Sequence, residues 1–224
     1  MGIEKLRTEV PVELYKKLVG SGIEELRPSQ EKSIDAGLLE GKSLLVCTPT
    51  ASGKTLVAEM GMLNSILRGK GKAVYIVPLK ALASEKHKDF RKKYGDLIKV
   101  GMSIGDLDAS DPYLHKHDLI VCTAEKLDSL IRHHASWIRE IGVVVVDEVH
   151  LLNDQSRGPT LEILITILKQ LIKDAQLIAL SATIGNEKEL AEWLEAELVH
   201  DTWRPVELKK GVYLDGKIEF EEKK

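Results

Sequence analysis

Three short stretches hold the residues whose types and spacing could do chemistry. In residues 44–59 an apolar run ends at Cys47 and a loop of small residues follows, Thr48, Pro49, Thr50, Ala51 and Ser52. Gly53-Lys54-Thr55 then opens a helix-forming segment. A phosphate chain needs backbone N–H groups aimed at it, and a loop wrapped around it with a helix N-terminus behind supplies them. Glycine at 53 permits a backbone conformation and an approach that a Cβ would block. Lys54 would put a point charge on the β- and γ-phosphates of a nucleotide such as ATP, and the Thr55 hydroxyl would ligate Mg²⁺. The strict phosphate-loop pattern begins with glycine, and here Thr48 stands in its place.

The second stretch is residues 143–150, four valines followed by Asp147, Glu148, Val149 and His150. Acids at the end of a buried strand sit where a parallel sheet binds ligand. Asp147 would hold Mg²⁺, and Glu148 would act as base or positioner for an attacking water. An acid pair after a strand is by itself also what a solvated loop looks like. Its pairing with a phosphate loop about 90 residues upstream is the specific signal. The third stretch is Ser181-Ala182-Thr183, again just after an apolar run. Small hydroxyl residues there could relay between a nucleotide and another surface, or simply cap a helix.

The elements that must position these residues alternate. Apolar, β-branched runs occupy 43–47, 73–77, 100–104, 119–122, 143–146 and 177–180. Helix-period segments lie between them at about 29–39, 53–67, 82–93, 124–133, 159–172 and 187–194. Such alternation predicts βαβ units and a mostly parallel sheet covered on both faces, an α/β three-layer fold. The valine run has no polar alternation, as expected of a central strand buried on both sides. Asn186 with Glu189 reads as a capping box, and Thr123 as the cap of the helix from Ala124. The tail from Thr202 places Asp215-Gly216 between two alternating runs, a hairpin signal.

Composition narrows the class. The chain has 224 residues, 43% hydrophobic and 30% charged, enough for a real core. Its net charge of −3 argues against a tail-driven nucleic-acid binder but allows a local site. The two cysteines, Cys47 and Cys122, lie far apart in apolar runs and read as buried small hydrophobes. No uncharged run approaches the ~18 residues of a membrane span. These features predict a reduced, intracellular, soluble protein with no membrane partner.

Together the residues carry a family resemblance. TPTASGKT, DEVH and SAT stand in the order and spacing of the first, RecA-like motor domain of superfamily-two DExH-box helicases. Residues 78–86 resemble motif Ia, residues 123–130 motif Ib, and LRPSQ at 26–30 the Q motif. The tail WRPVELKKGV and residues 123–133 resemble the archaeal Hjm-type, Ski-like branch of 3′→5′ DNA helicases that act on stalled forks. By resemblance, Gln30 contacts adenine, Lys54 the phosphates, Thr55 and Asp147 the Mg²⁺, and Glu148 the water. His150, Ser181 and Thr183 couple the nucleotide to the rest of the motor. Lys80, Ala81 and Leu82 with Thr123, Glu125 and Lys126 lie along single-stranded or forked DNA, through amides, hydroxyls and a few charges.

Two features invite functional readings that the spacing does not support. The charges of residues 86–93 spread around a helix, so a solvated face is expected and no DNA contact is assigned to Arg91, Lys92 or Lys93. His133 and His134 are adjacent and point to different sides of a helix, so they read as surface residues. The low aromatic content, 4%, argues against a base-stacking platform.

The resemblance implies a division into a lead segment at 1–26, a RecA-like domain at 27–201 and a stub at 202–224. Only 41 residues follow Thr183, too few for the second motor domain that supplies arginine fingers. The expectation is a monomeric ATP-binding half of a DNA helicase, weakly active or inactive alone. An RNA helicase of the same group and a non-motor P-loop interaction module are the alternatives. A nucleotide kinase would need an arginine-rich lid, and no such segment is present.

Overall fold

The computed structural model describes residues 2–105, 111–206, 209 and 211–220. Seven strands pair in parallel in the order β3-β4-β2-β5-β6-β1-β7. They are β1 (Leu44–Cys47), β2 (Lys72–Val77), β3 (Val100–Ser103), β4 (Leu119–Thr123), β5 (Ile141–Val146), β6 (Gln176–Ser181) and β7 (Glu197–His200). The helices are α1 (Val12–Gly20), α2 (Pro28–Asp35), α3 (Lys54–Leu67), α4 (Lys80–Tyr94), α5 (Ala124–Arg132), α6 (Gly158–Leu171) and α7 (Glu187–Leu194).

The valine run lies in β5, the fourth of the seven strands. Successive side chains leave a strand on opposite faces, so the run serves both layers. Val143 and Val145 join Tyr75, Val57, Met60 and Phe90 under α3 and α4. Val144 and Val146 join Val74, Ile76, Leu127, Leu164 and Ile165 under α5 and α6. Burying each valine is worth roughly 1.5–3 kcal/mol before chain entropy is charged. That burial fixes the strand register and therefore the height at which Asp147 leaves the sheet.

The six expected strands and six expected helices all form, with ends shifted by a few residues. The helix expected at 29–39 is shorter: α2 stops at Asp35, and the chain then turns through Gly37 at φ 99°. Among the described residues six elements were not anticipated, three of them short 3₁₀ helices at Pro112–Lys116, Ser136–Glu140 and Val149–Asn153. A 3₁₀ helix at Ile3–Thr8 and α1 bury Leu6, Leu14 and Leu18 in the same cluster as α3. Strand β7 closes the sheet beside β1.

Thr123 caps α5 as expected, its hydroxyl accepting from the Lys126 N–H. The Asn186 box does not form. Asn186 sits at φ −109°, ψ 32°, away from the extended geometry of a capping residue, and its side chain makes no cap bond. Strands β8 (Gly211–Leu214) and β9 (Lys217–Phe220) make the expected antiparallel hairpin. Asp215 and Gly216 both take positive φ, 47° and 80°, as a two-residue primed turn requires.

Candidate active site

All three chemical stretches leave the same edge of the sheet, at the carboxyl ends of β1, β5 and β6. Cys47 pairs with Ser181 across β1 and β6, and Ile76 pairs with Val146 across β2 and β5. Thr48 and Ala182 therefore emerge level, while Val146 pairs with Ala179 across β5 and β6, so Asp147 leaves the same edge two residues lower.

The loop from Thr48 to Gly53 is tied from within. The Thr48 and Ser52 hydroxyls are 2.6 Å apart and buried, and the Thr48 N–H donates to the Ser181 carbonyl at 3.2 Å. A glycine at 48 could not make that hydroxyl pair, which gives the departure from the strict pattern a local role. Gly53 is the N-cap of α3 at φ 97°, a conformation that disfavours a side chain. A Cβ there would stand 2.5 Å from the Gln30 amide nitrogen. The first turn of α3 has no side-chain cap and no acidic residue. Its N–H groups and partial positive charge suit an anion. Lys54 Nζ curls into the loop and donates to the Thr48 carbonyl at 3.0 Å. Burial pushes the Lys54 ammonium below its usual 10.5, while Glu148 and Asp147 pull it back up.

Asp147 is held on both oxygens. Oδ2 accepts from the Tyr75 hydroxyl at 2.8 Å, and Oδ1 accepts from the Glu148 N–H at 3.1 Å. Tyr75 is fully buried and meets Phe90 edge-on, with ring centroids 5.1 Å apart. Burial, then the charge of Asp147, raises the Tyr75 hydroxyl well above its usual value, so it stays a donor. Glu148 adopts left-handed backbone, φ 54°, uncommon for a residue with a side chain. Its Oε2 lies 3.3 Å from His150 Nδ1. The Ser181 hydroxyl is buried with no hydrogen-bond partner among the described residues. Thr183 is exposed beyond it.

Sequence reasoning missed Tyr75 and, with it, two lysines of α4. Lys86 of α4 donates to Thr55 Oγ1 at 3.1 Å and stands 5.7 Å from the centre of the Tyr75 ring. Lys93 reaches across to the buried Glu59 of α3 at 2.9 Å. The solvated-face reading of residues 86–93 thus holds for Lys88, Arg91, Lys92 and Lys93, which are exposed although Lys93 also pairs with Glu59, and fails for the half-buried Lys86. Helical spacing could have found them, since seven residues is two turns and puts both on one face.

Gln30 joins α2 to the phosphate loop. Its Oε1 accepts from the Arg27 N–H at 2.8 Å, and its Nε2 donates to the Gly53 carbonyl at 3.1 Å. Each amide atom keeps a second lone pair or hydrogen. Arg27 donates to the Ala51 carbonyl at 2.7 Å and lies 5.5 Å from the Trp203 ring. Asp201 pairs with Lys32 at 2.9 Å, so the segment after β7 is stapled beside the loop. A cleft of about 800 Å³ opens here, lined by Gly22, Ile23, Arg27, Gln30, Gly53 and Thr55 among others.

The residues expected along a strand divide. Lys80, Ala81 and Glu125 are exposed, Leu82 is half-buried, and Thr123 is spent on its cap. Lys126 does not reach the surface. It is 1% exposed and its Nζ pairs with Asp111 at 3.2 Å, because a buried ammonium needs a counter-charge. Pro78, Glu125, Asp147, Glu148 and Arg157 share the walls of one small cavity, so the acids abut the start of both edge segments. His133 and His134 are exposed, as expected.

The residues fit a magnesium nucleotide. An open-capped helix N-terminus and a lysine suit phosphates, and a hydroxyl and a carboxylate are the hard oxygen donors that Mg²⁺ takes. Among the described residues no three His, Cys, Asp or Glu side chains cluster to hold a metal alone.

Comparisons with known proteins agree. Residues 27–191 match the DEAD/DEAH box helicase family. The ATP-dependent DNA helicase Hel308 of Methanococcus vannielii is 55% identical over 207 residues, 89% of this chain and 27% of that protein. Hel308 of Pyrococcus horikoshii is 50% identical over 226 residues, 100% of this chain and 31% of that protein. The chain thus spans less than a third of the length of these relatives. The crystal structure of the DUF1998 helicase MrfA bound to DNA superposes with a TM-score of 0.76 at 28% identity, over 87% of this chain and 30% of that one. MrfA bound to DNA and AMPPNP gives 0.74 at 29%, over 87% and 29%. With its phosphate loop, its acid pair beyond the central strand and a match over most of its length, this chain belongs to the DEAD/DEAH box helicase family.

Proposed function

We propose that this chain is the ATP-binding half of an ATP-dependent 3′→5′ DNA helicase motor that works on forked or branched DNA in replication and repair. The observation that carries the reading is the placement of Lys54, Asp147 and Glu148 beyond the carboxyl ends of β1 and β5, at one edge of the sheet. The Hel308 relatives are DNA helicases by name, which favours DNA over RNA.

In this reading the N–H groups of 51–55 and the Lys54 ammonium hold the phosphates, with Thr48, Pro49, Thr50 and Ser52 shaping the loop. The cleft beside Gln30 takes the adenine and ribose. Thr55 and Asp147 hold Mg²⁺, which when bound neutralises charge on the phosphates. Glu148 orients the attacking water and takes its proton. His150, on the same turn, together with Ser181 and Thr183, passes the state of the site to the neighbouring surface. Lys80, Ala81, Leu82, Thr123 and Glu125 track the strand, and Lys126 braces that edge from inside. Residues 1–26 are a lead segment, 27–201 the RecA-like domain, and 202–224 a stub toward the second motor domain. That second domain supplies arginine fingers worth roughly 10³–10⁵ in rate, so the chain alone hydrolyses ATP poorly.

Glu148→Gln tests the assignment in a protein that carries this chain with its second motor domain. Nucleotide binding should persist while hydrolysis and unwinding are lost. Loss of binding would make Glu148 structural. Robust DNA-stimulated hydrolysis by the isolated chain would contradict the division of labour.

A further inference from the structure

Lys86 stands where two lines of contact meet. Its Nζ donates to Thr55 Oγ1 at 3.1 Å and lies 5.7 Å from the centre of the Tyr75 ring, whose hydroxyl donates to Asp147 at 2.8 Å. The two groups assigned to the divalent cation are thus both reached from the β2–α4 side. Lys86 is half-buried, on a long flexible stem, and the residues expected along DNA, Lys80–Leu82, open the same helix.

Magnesium on the Thr55 oxygen would bind at ~2.0–2.1 Å. With Lys86 on the same oxygen, charges of +1 and +2 would stand at most ~5 Å apart with no anion between them on that atom. A lysine ammonium is compact and strongly hydrated, and it can swing outward at little cost. We infer that Lys86 and the divalent cation compete for Thr55, so that loading magnesium nucleotide turns Lys86 out and loosens the tie between the phosphate loop and α4. Lys86 is on this account a positioning residue that makes the strand-facing helix sense the cation. The inference rests on the magnesium-nucleotide reading given above.

The test measures ADP binding to the chain by calorimetry across a magnesium series and in EDTA. Lys86→Met keeps the stem over Tyr75 and removes the charge. Magnesium should then act at a lower concentration, by up to the roughly tenfold that a +1 charge held ~5 Å from a +2 charge gives at the dielectric of water, the ceiling set by a lysine that did not move. ADP affinity in EDTA should not rise. Lys86→Arg keeps the charge and should stay close to wild type. Lys86→Gln is a second neutral variant and should behave as Lys86→Met does. Unchanged or weaker magnesium dependence in both neutral variants overturns the inference alone, as does an equal gain in EDTA. No ADP binding by the wild-type chain at any magnesium concentration overturns the nucleotide reading and the inference together.

Discussion

Replacing Tyr75 by Phe removes one oxygen and leaves the ring. The edge-on contact with Phe90 survives, so no cavity of consequence opens. What is lost is the 2.8 Å hydrogen bond to Asp147. A hydrogen bond to a charged group is worth roughly 1.5–3 kcal/mol net. The lower figure applies, because Asp147 is half-buried and water can reach the carboxylate once the hydroxyl is gone. At roughly 2–4 °C per kcal/mol for a chain of this size, Tm should fall by about 3–6 °C. Asp147→Ala, which removes the acceptor that an Asn carbonyl would keep, supplies the second leg of a double-mutant cycle, and urea unfolding of all four proteins at pH 7 gives the coupling. The structure predicts a coupling of about 1.5 kcal/mol. The same loss should weaken the magnesium dependence of nucleotide binding by roughly tenfold or more, since groups that orient a metal-holding carboxylate typically count for that much. Additivity within ~0.5 kcal/mol would refute the claim that Tyr75 holds Asp147.

Two further outcomes follow. Leu14 is fully buried against the α3 layer, so Leu14→Ala should cost ~2–5 kcal/mol in chemical unfolding, and a cost under ~0.5 kcal/mol would mean α1 is not part of this core. Burial pushes the Asp201 carboxyl up, but the Lys32 ammonium and the Trp203 N–H outweigh it and hold the group below its usual 3.8. A carboxylate held down on folding stabilises above its unfolded pKa and loses that contribution as pH falls through the folded one. Asp201→Asn should therefore destabilise the chain at neutral pH, with the difference closing below pH ~4, and a gap independent of pH would contradict the ion pair.

The sheet and the strand–loop–helix that carries residues 48–53 were legible in sequence because they rest on strong local signals. Residues 143–146 have no polar alternation, and β5 is the middle strand. Gly53-Lys54-Thr55 follows a buried strand and opens a helix, and the structure keeps both. What escaped depends on contacts distant in sequence. Strand β7 is four residues long directly after α7, and only pairing with β1 distinguishes it from a helix end. Helix α1 carries a Leu14–Leu18 stripe, but nothing local says what the stripe packs on. Lys86 sits in a run of charges that reads as solvated, and its partner Thr55 is on another helix. Lys126 errs the other way: a lysine in a surface-like helix is buried because Asp111 meets it.

Nucleotide binding by this chain with and without the Lys54 ammonium tests the central claim most directly. Lys54 lies at the phosphate loop, donates to the Thr48 carbonyl, and is acted on by Asp147 and Glu148. Titration of ADP with magnesium should show binding by the wild-type chain and a loss of at least ~10-fold in Lys54→Ala, as expected for removing a charge-assisted contact to phosphate. Equal affinity in the two proteins, with both folded, would contradict the assignment of this loop as the nucleotide site.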